Sequence, residues 1–331
     1  MSVYTSLTQA QIKQLLGHYQ LGIILAHEGI SDGIENTNYR ITTTSGQYIL
    51  TIFEQLKMSE LPYFLSLLSF LRVHALPVPE PIADINQQML MSWQSKPAAI
   101  FACLPGHSLE HAEVSHCQQI GHALGQLHGI GQMFPIKRAN AWGMSWMQKT
   151  AAKLLQAHQN KTSPEQSNSL SNEDAQLLAE ELKFQQHHYH EKLPLGVIHA
   201  DLFRDNALFE NNRLSAIVDF YTASHAPLLF DLAITLNDWC IGNDHYLDSA
   251  KARALITAYQ QQRPLQENEK QQWYIMLRAA ALRFWLSRLM FQQANKTAEL
   301  TLDKDPDVLK CLLLKHRENK AFCLSLLAST P

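Results

Sequence analysis

The sequence predicts an α+β protein of two lobes, a β-rich N-lobe over 1–102 and a mainly helical C-lobe over 103–331. Three observations carry this. Apolar and polar residues alternate over 38–43 and 47–53, on either side of Thr44-Ser45-Gly46, which is the pattern of two half-buried strands joined as a hairpin. The patterning changes character after Pro105-Gly106, and beyond about Phe230 apolar residues recur at helical spacing. At 331 residues the chain also exceeds what one small core holds.

In chain order, Thr8-Gln-Ala-Gln11 has the form of a capping box that opens a helix to about Tyr19, and 21–26 reads as a short strand. After the hairpin, Leu61, Phe64, Leu65, Leu68 and Leu71 share a helical face over 60–74, and the prolines at 77, 79 and 81 stop that helix. Further strands are expected over 88–93 and 98–104. In the C-lobe, Ser115-His-Cys-Gln118 is expected to cap a helix lined by Ile120, Ala123, Leu124 and Leu127, ending near Gly129. The stretch 160–172, rich in Ser, Asn, Gln and Thr, reads as a loop between two helices. Strand-like runs follow at 195–198, 207–209 and 216–218, with Asn211-Asn212 in the turn of a hairpin.

Composition excludes several function classes. A net charge of -3 with scattered Lys and Arg gives no nucleic-acid footprint. The N-terminus lacks the basic-then-apolar order of a signal peptide. The most apolar long stretch, 273–291, carries Arg278, Arg283 and Arg288, so it reads as a buried helix and not a membrane span. Five dispersed cysteines without a C-x-x-C pair read as reduced core thiols of a cytoplasmic protein. His187-His188-Tyr189-His190 are consecutive on a polar helix and cannot share a face, which favours a solvated helix over a metal site.

The chemistry concentrates in "VIHADLFRDNALFE" (197–210). The hairpin is expected to place Asn206 near Asp219, at the end of the run 216–218, and the run 195–198 to bring Asp201 to the same rim. Two carboxylates and one amide oxygen make a hard-oxygen site suited to Mg²⁺. The spacing Asp201-x-x-x-x-Asn206 matches the protein-kinase catalytic loop H-R-D-x-x-x-x-N, and Asp219-Phe220-Tyr221 stands where D-F-G would be. The stretch resembles the aminoglycoside phosphotransferase and choline kinase branch of the kinase-like superfamily, whose loop usually reads H-G-D-x-x-x-x-N. The resemblance implies a bilobal protein-kinase-like fold, Asp201 as the base toward an alcohol, and Asn206 and Asp219 as Mg²⁺ ligands on ATP. His199 is expected to brace the loop.

A closer resemblance, to bacterial homoserine kinases of the threonine-pathway type, runs nearly end to end. It rests on "GIENTNYRITT" (33–43), "YILTIFE" (48–54), "LPYFLSLLSFL" (61–71), "IGHALGQLH" (120–128), "RANAWG" (138–143), "DFYTASHAPLLFDLAITLNDWC" (219–240), "RAAALRFWLSRL" (278–289) and "KDPD" (304–307). The implied acceptor is L-homoserine, with no nucleic-acid or membrane partner and a monomer or weak homodimer as the assembly.

The implied nucleotide site comprises Gly33, Asn36, Thr37 and Asn38 in place of a glycine-rich loop, Thr51 in the slot of the missing β3 lysine, and Phe101 to Leu104 as the hinge whose backbone meets adenine. Lys57 lies just beyond the slot and reads equally as a phosphate contact or a surface residue. Glu60 reads first as an acidic residue at a helix start and second as a pairing partner for Lys57. For the acceptor, Arg204, Tyr221, Asn237 and Arg283 are the candidates, and Asp231 is expected to anchor the catalytic loop or the helix start. Arg278, Arg283 and Arg288 each turn 140° from the last and cannot share a face. Arg283, between apolar neighbours, needs an anion, and a substrate carboxylate or a buried acid would serve equally. Two rivals stand beside this reading. One is a kinase of the same fold acting on choline, ethanolamine or an aminoglycoside. The other is a silent nucleotide-binding module, favoured by the missing lysine and opposed by Asp201, Asn206 and Asp219.

Overall fold

Thr8 opens the first helix, α1 (Gln9–Leu16), through the expected capping box. Its hydroxyl accepts the Gln11 amide at 3.3 Å and the Gln11 side-chain oxygen accepts the Thr8 amide at 2.8 Å. In this computed structural model residues 4–30, 36–160, 170–189, 192–242, 244–294 and 305–327 are described. The helix stops at Leu16 instead of Tyr19. Leu21, expected to start a strand, is buried in the core, and β1 (Ile24–Ile30) begins only after Gly22.

The expected hairpin forms as β2 (Asn36–Thr43) and β3 (Gly46–Phe53), with Asn38 opposite Thr51. After α2 (Leu61–Val73), which Glu60 precedes without a side-chain capping bond, come β4 (Pro81–Ile82), β5 (Met91–Trp93) and β6 (Lys96–Ala102). The antiparallel sheet runs β1-β2-β3-β6-β4, with β5 also on β6. α2 ends at Val73, ahead of the prolines at 77, 79 and 81, with Ala75 at φ 62° and the Leu76 amide donating back to the Leu71 carbonyl at 3.1 Å, and Pro81 begins an edge strand, where a missing N–H costs no ladder bond. Strand alternation sends Tyr39, Ile41, Leu50, Ile52 and Ile100 to one face, where Ile12, Leu15 and Leu16 of α1 close a core. Each such aliphatic side chain contributes about 1.5–3 kcal/mol. Thr51 and Phe53 therefore point to the other face.

The C-terminal part is mainly helical, as expected. Helix α3 (Val114–Gly131) has Glu113 and not Ser115 at its N-cap. The Glu113 carboxylate accepts the His116 amide, and the His116 ring nitrogen accepts the Glu113 amide at 3.0 Å, so the box sits two residues earlier than the Ser suggested. It continues past Gly129. Helices α4 (Met144–Gln159) and α5 (Asn172–His188) flank the expected loop, of which 161–169 lie outside the described residues. Strand β7 (Leu195–Ile198) precedes the expected hairpin β8 (Ala207–Glu210) and β9 (Arg213–Ile217). Asn211 and Asn212 adopt φ of 50° and 60°, the left-handed pair of a type I′ turn. Strand β10 (Ser224–Pro227) pairs antiparallel with β7. Helices α6 (Leu228–Trp239), α7 (Ser249–Gln262), α8 (Glu267–Ala294), α9 (Pro306–Glu318) and α10 (Lys320–Ser325) complete the chain.

The chain divides into two compact units. The first takes residues up to Ser108 plus Ala207–Tyr221, and the second takes Leu109–Asn206 and the helices after Thr222. In the first, Gly106 at φ +104° lets its backbone pass the hairpin, where a Cβ would lie 2.7 Å from the Phe209 carbonyl oxygen. His107 and Phe209 then exchange backbone hydrogen bonds of 3.1 and 2.9 Å. In the second, α3 packs on α7 through Gly121, whose Cβ would lie 2.1 Å from the Leu255 carbonyl oxygen. Trp273, Leu277, Leu282 and Trp285 of α8 are buried, as expected for 273–291. Among the described residues no helix is long and apolar enough to cross a membrane. The five cysteines are all free thiols.

Candidate active site

The loop after β7 is held against its own backbone preference. Ala200 sits at φ +67°, a left-handed value that costs a residue with a Cβ on the order of 1 kcal/mol. The compensation is Asp231, fully buried in the first turn of α6. Its Oδ1 accepts the Ala200 amide at 2.7 Å and its Oδ2 accepts the His199 amide at 2.7 Å. Three further bonds fix the loop. The Asp201 amide donates to His199 Nδ1 at 3.2 Å, Thr222 Oγ1 donates to the His199 carbonyl at 2.8 Å, and Trp239 Nε1 donates to the Leu202 carbonyl at 3.0 Å.

Behind Asp231 runs a buried polar chain. His128 Nε2 meets Asp231 Oδ2 at 3.0 Å, and its Nδ1 meets the Tyr259 hydroxyl at 2.8 Å. That hydroxyl accepts from Arg263 Nη1 at 3.0 Å, and the Arg263 guanidinium makes paired 2.9 Å bonds to both Glu269 oxygens. Since Arg263 only donates, the tyrosine donates to His128 Nδ1 and the His128 Nε2–H donates to Asp231. Burial pushes His128 below its ordinary value against the pull of Asp231, and the neutral tautomer is the one this chain requires. Burial likewise pushes the Tyr259 phenol up.

Asp201 and Asn206 are brought together. Asn206 Nδ2 donates to the Asp201 carbonyl at 2.9 Å and to its Oδ2 at 3.2 Å, while the Asn206 amide closes a tight turn on the Phe203 carbonyl at 3.0 Å. With Nδ2 so engaged, Oδ1 is the Asn206 atom left for a cation. Arg204 is pinned to Asp238, through its amide at 2.8 Å, Nε at 3.1 Å and Nη2 at 3.4 Å, and its Nη1 donates to the Glu110 carbonyl at 2.7 Å.

In the first unit, Asp219 is exposed and also takes a left-handed φ, 62°. Tyr221, next but one, packs edge-on against Phe53 and Phe64 at ring separations of 5.0 and 5.8 Å. Its phenol, raised by burial and by Asp219, hydrogen-bonds Thr51, and Thr51 Oγ1 donates to Asn38 Oδ1 at 2.8 Å. Thr51, the residue in the lysine slot, is thus buried in a neutral triad with Asn38 and Tyr221. Thr37 does not join them. It faces the opposite side of β2, accepting the Tyr4 and Thr5 amides at 3.0 and 3.1 Å and donating to Glu54 Oε1 at 2.7 Å. Lys96 completes that cluster through Glu54 and Thr5. Asn36 starts β2, Phe101 lies within β6, Leu104 just follows it, and Gly33 lies outside the described residues. Lys57 is exposed, and its amide donates to the Glu60 carboxylate at 3.2 Å.

The remaining acceptor candidates lie among helices of the second unit. Asn237 is buried between α8 and α9, donating to the Leu277 carbonyl at 3.0 Å and meeting His316 Nε2 at 3.0 Å. Arg283 lies with its guanidinium 3.9 Å from the Phe284 ring and 5.0 Å from the Trp142 ring, and its Nη1 donates to Ser287 Oγ at 3.3 Å. Arg278 pairs with the buried Glu181. Sequence reasoning missed His128, Asp238 and Tyr259, whose partners lie far along the chain with no local period to reveal them.

The profile of the phosphotransferase enzyme family matches residues 27–265. The chain belongs to that family. Among curated relatives of this phosphotransferase, a homoserine kinase of Methylobacillus flagellatus is 40% identical over 316 residues, 96% of this chain and 95% of the relative. A homoserine kinase of a Janthinobacterium species is 40% identical over 312 residues, 92% of this chain and 93% of the relative. Among solved structures, an aminoglycoside phosphotransferase of Alicyclobacillus acidocaldarius superposes with a TM-score of 0.67 at 15% identity, covering 97% of this chain and 96% of that one. The fold is therefore the protein-kinase-like one, with its antiparallel sheet unit and its helical unit.

Proposed function

We propose that this phosphotransferase is a homoserine kinase, which moves the γ-phosphate of ATP onto the side-chain hydroxyl of L-homoserine to give O-phospho-L-homoserine for threonine biosynthesis. The observation that carries the acceptor is the 40% identity to a homoserine kinase over 96% of the chain. The chemistry asks for positioning and charge neutralisation more than covalent help. A loop whose Asp and Asn are fixed to one another suits it.

In this reading Asp201 accepts the hydrogen bond of the acceptor hydroxyl and takes its proton as the oxygen attacks the γ-phosphorus. The new O–P bond forms as the bond from phosphorus to the bridging oxygen breaks, and ADP leaves with that electron pair. The proton then passes from Asp201 to solvent. Asn206, through its bonds to the Asp201 carbonyl and Oδ2, keeps the carboxylate oriented. The Asn206 Oδ1 and the Asp219 carboxylate are hard oxygens that fit Mg²⁺, which when bound supplies charge neutralisation across the phosphates. For the nucleotide we assign Asn36 and Asn38, the amides around Gly33, and the backbone from Phe101 to Leu104. Thr37 and Thr51 shape the strands that carry them. The five free thiols fit a reducing compartment, and the cytoplasm is the assigned location.

A coupled assay for ADP with L-homoserine, choline and kanamycin tests the reading. ADP release with L-homoserine is expected. Release with another alcohol and none with L-homoserine refutes the acceptor.

A further inference from the structure

The three arginines of α8 divide their work in a way that singles out the last. Arg278 has its anion, the buried Glu181, bonded through Nε at 3.1 Å and through Nη2, with the Tyr274 hydroxyl at 3.0 Å. Arg283 and Ser287 share one face of the helix, and the Arg283 guanidinium lies between the Trp142 ring at 5.0 Å and the Phe284 ring at 3.9 Å. Phe284 and Arg288 share another, one turn apart. The Phe284 ring lies 4.4 Å from the ring of Phe203, two residues after Asp201 in the catalytic loop. Arg288 thus stands on the side of α8 that meets that loop.

Among the described residues its hydrogen bond is to a neutral acceptor, Nη1 to the Asp305 carbonyl at 2.8 Å. Among the described residues it is in no ion pair, although it is half-buried. Burial lowers its guanidinium from the ordinary value, while Asp238, Asp305, Asp205 and Asp201, in that order, act on it from a distance and raise it. Two of those carboxylates are committed elsewhere, Asp238 to Arg204 and Asp201 to Asn206. Among the described residues this half-buried cation beside the catalytic loop is held by a carbonyl and has no bidentate anion of the kind its planar fork is shaped for.

Resting on the homoserine kinase reading above, we propose that Arg288 binds the α-carboxylate of the acceptor and so restricts the enzyme to an amino acid. The hydroxyl oxygen and carboxyl carbon of homoserine are four bonds apart, about 5 Å when extended. That length lets one molecule address the Asp201 carboxylate and a cation within its electrostatic reach.

Steady-state kinetics with L-homoserine and 3-aminopropan-1-ol, the same alcohol without its carboxylate, test this. The wild-type enzyme is expected to favour homoserine in kcat/KM by on the order of 10²-fold or more. Arg288→Met is expected to raise KM for homoserine by on the order of 10²-fold, leave KM for ATP unchanged, and leave kcat/KM for the amino alcohol unchanged. Arg288→Lys should fall between, keeping the charge but losing the fork. Equal use of both alcohols by the wild-type enzyme overturns the proposal without any variant. So does an unchanged homoserine KM in Arg288→Met, an equal loss with both alcohols, or a rise confined to ATP, which would assign the arginine to phosphate. No turnover of homoserine by the wild-type enzyme, with turnover of another alcohol, instead defeats the acceptor assignment itself.

Discussion

Replacing Asp231 by Asn keeps the shape of the side chain and removes one acceptor oxygen and the charge. With its oxygen in the place of Oδ2, the variant still accepts from His199 and His128, now without charge assistance. Its NH2 then faces the Ala200 amide across the 2.7 Å now bridged by Oδ1, donor against donor. A hydrogen bond to a charged group is worth roughly 1.5–3 kcal/mol and a neutral one about half that. Losing one outright and weakening two gives a destabilisation of about 3–6 kcal/mol at this fully buried position. Ala200 is then free to leave φ +67°, and Asp201 next to it loses its fixed position. A fall in kcat on the order of 10²-fold is expected with it. Urea unfolding followed by tryptophan fluorescence measures the first, since Trp239 is buried on the Leu202 carbonyl, and the ADP assay measures the second. A loss below about 1 kcal/mol with unchanged kcat would show that Asp231 does not hold the loop.

Other consequences are testable in the same way. Asp201→Asn is expected to lower turnover by at least about 10²-fold while isothermal titration still detects ATP binding, and normal turnover in that variant defeats the mechanism. His316 is buried with Nε2 on Asn237 Oδ1 and Nδ1 against the Cys323 thiol at 3.5 Å, and burial with the Arg278 charge lowers it to about 3. Its folded value lies below the unfolded one near 6.5, so the stability it contributes is complete above about pH 6.5 and is lost as pH falls toward 3. His316→Gln should flatten that acid limb in urea titrations between pH 6.5 and 4, and an unchanged slope refutes the assignment. Gly121→Ala places a methyl 2.1 Å from the Leu255 backbone oxygen, and calorimetry should register a cost of about 3 kcal/mol, whereas a neutral effect would mean that α3 and α7 are not so closely packed.

What was legible in the sequence was what repeats locally. The β2–β3 and β8–β9 hairpins announce themselves by alternation around turns that tolerate left-handed backbone, and both formed where expected. The Asp201 and Asn206 spacing was readable because five residues of one loop set it. Strands β4 and β10, two and four residues long, are too short to show a period. The start of α3 was misread because Ser115 is the commoner cap and the Glu113–His116 pair is not a usual signal. The brace behind the loop depends on partners 31, 32 and 103 residues apart in the chain, and nothing at His128 or Asp231 alone points to the other. Helical geometry separated the three arginines of α8 by face. It could not say that Arg278 meets Glu181, 97 residues away, and that Arg288 meets the Asp305 carbonyl.

The membership of the β8–β9 hairpin bears on how this gene can be dissected. The first unit is discontinuous in sequence, since Ala207–Tyr221 leaves the helical run, joins the sheet-bearing unit and hands the chain back. Within that unit the hairpin supplies the partner of the His107 backbone, the Ser215 hydroxyl that donates to the Pro105 carbonyl at 2.6 Å, and the Ile217 amide that donates to the Pro77 carbonyl at 2.7 Å. A fragment cut after Ser108 would keep the sheet but strand these backbone groups at its new end. An independently folding version needs the hairpin spliced on as a short insert, with 105–107 as the seam it must rebuild.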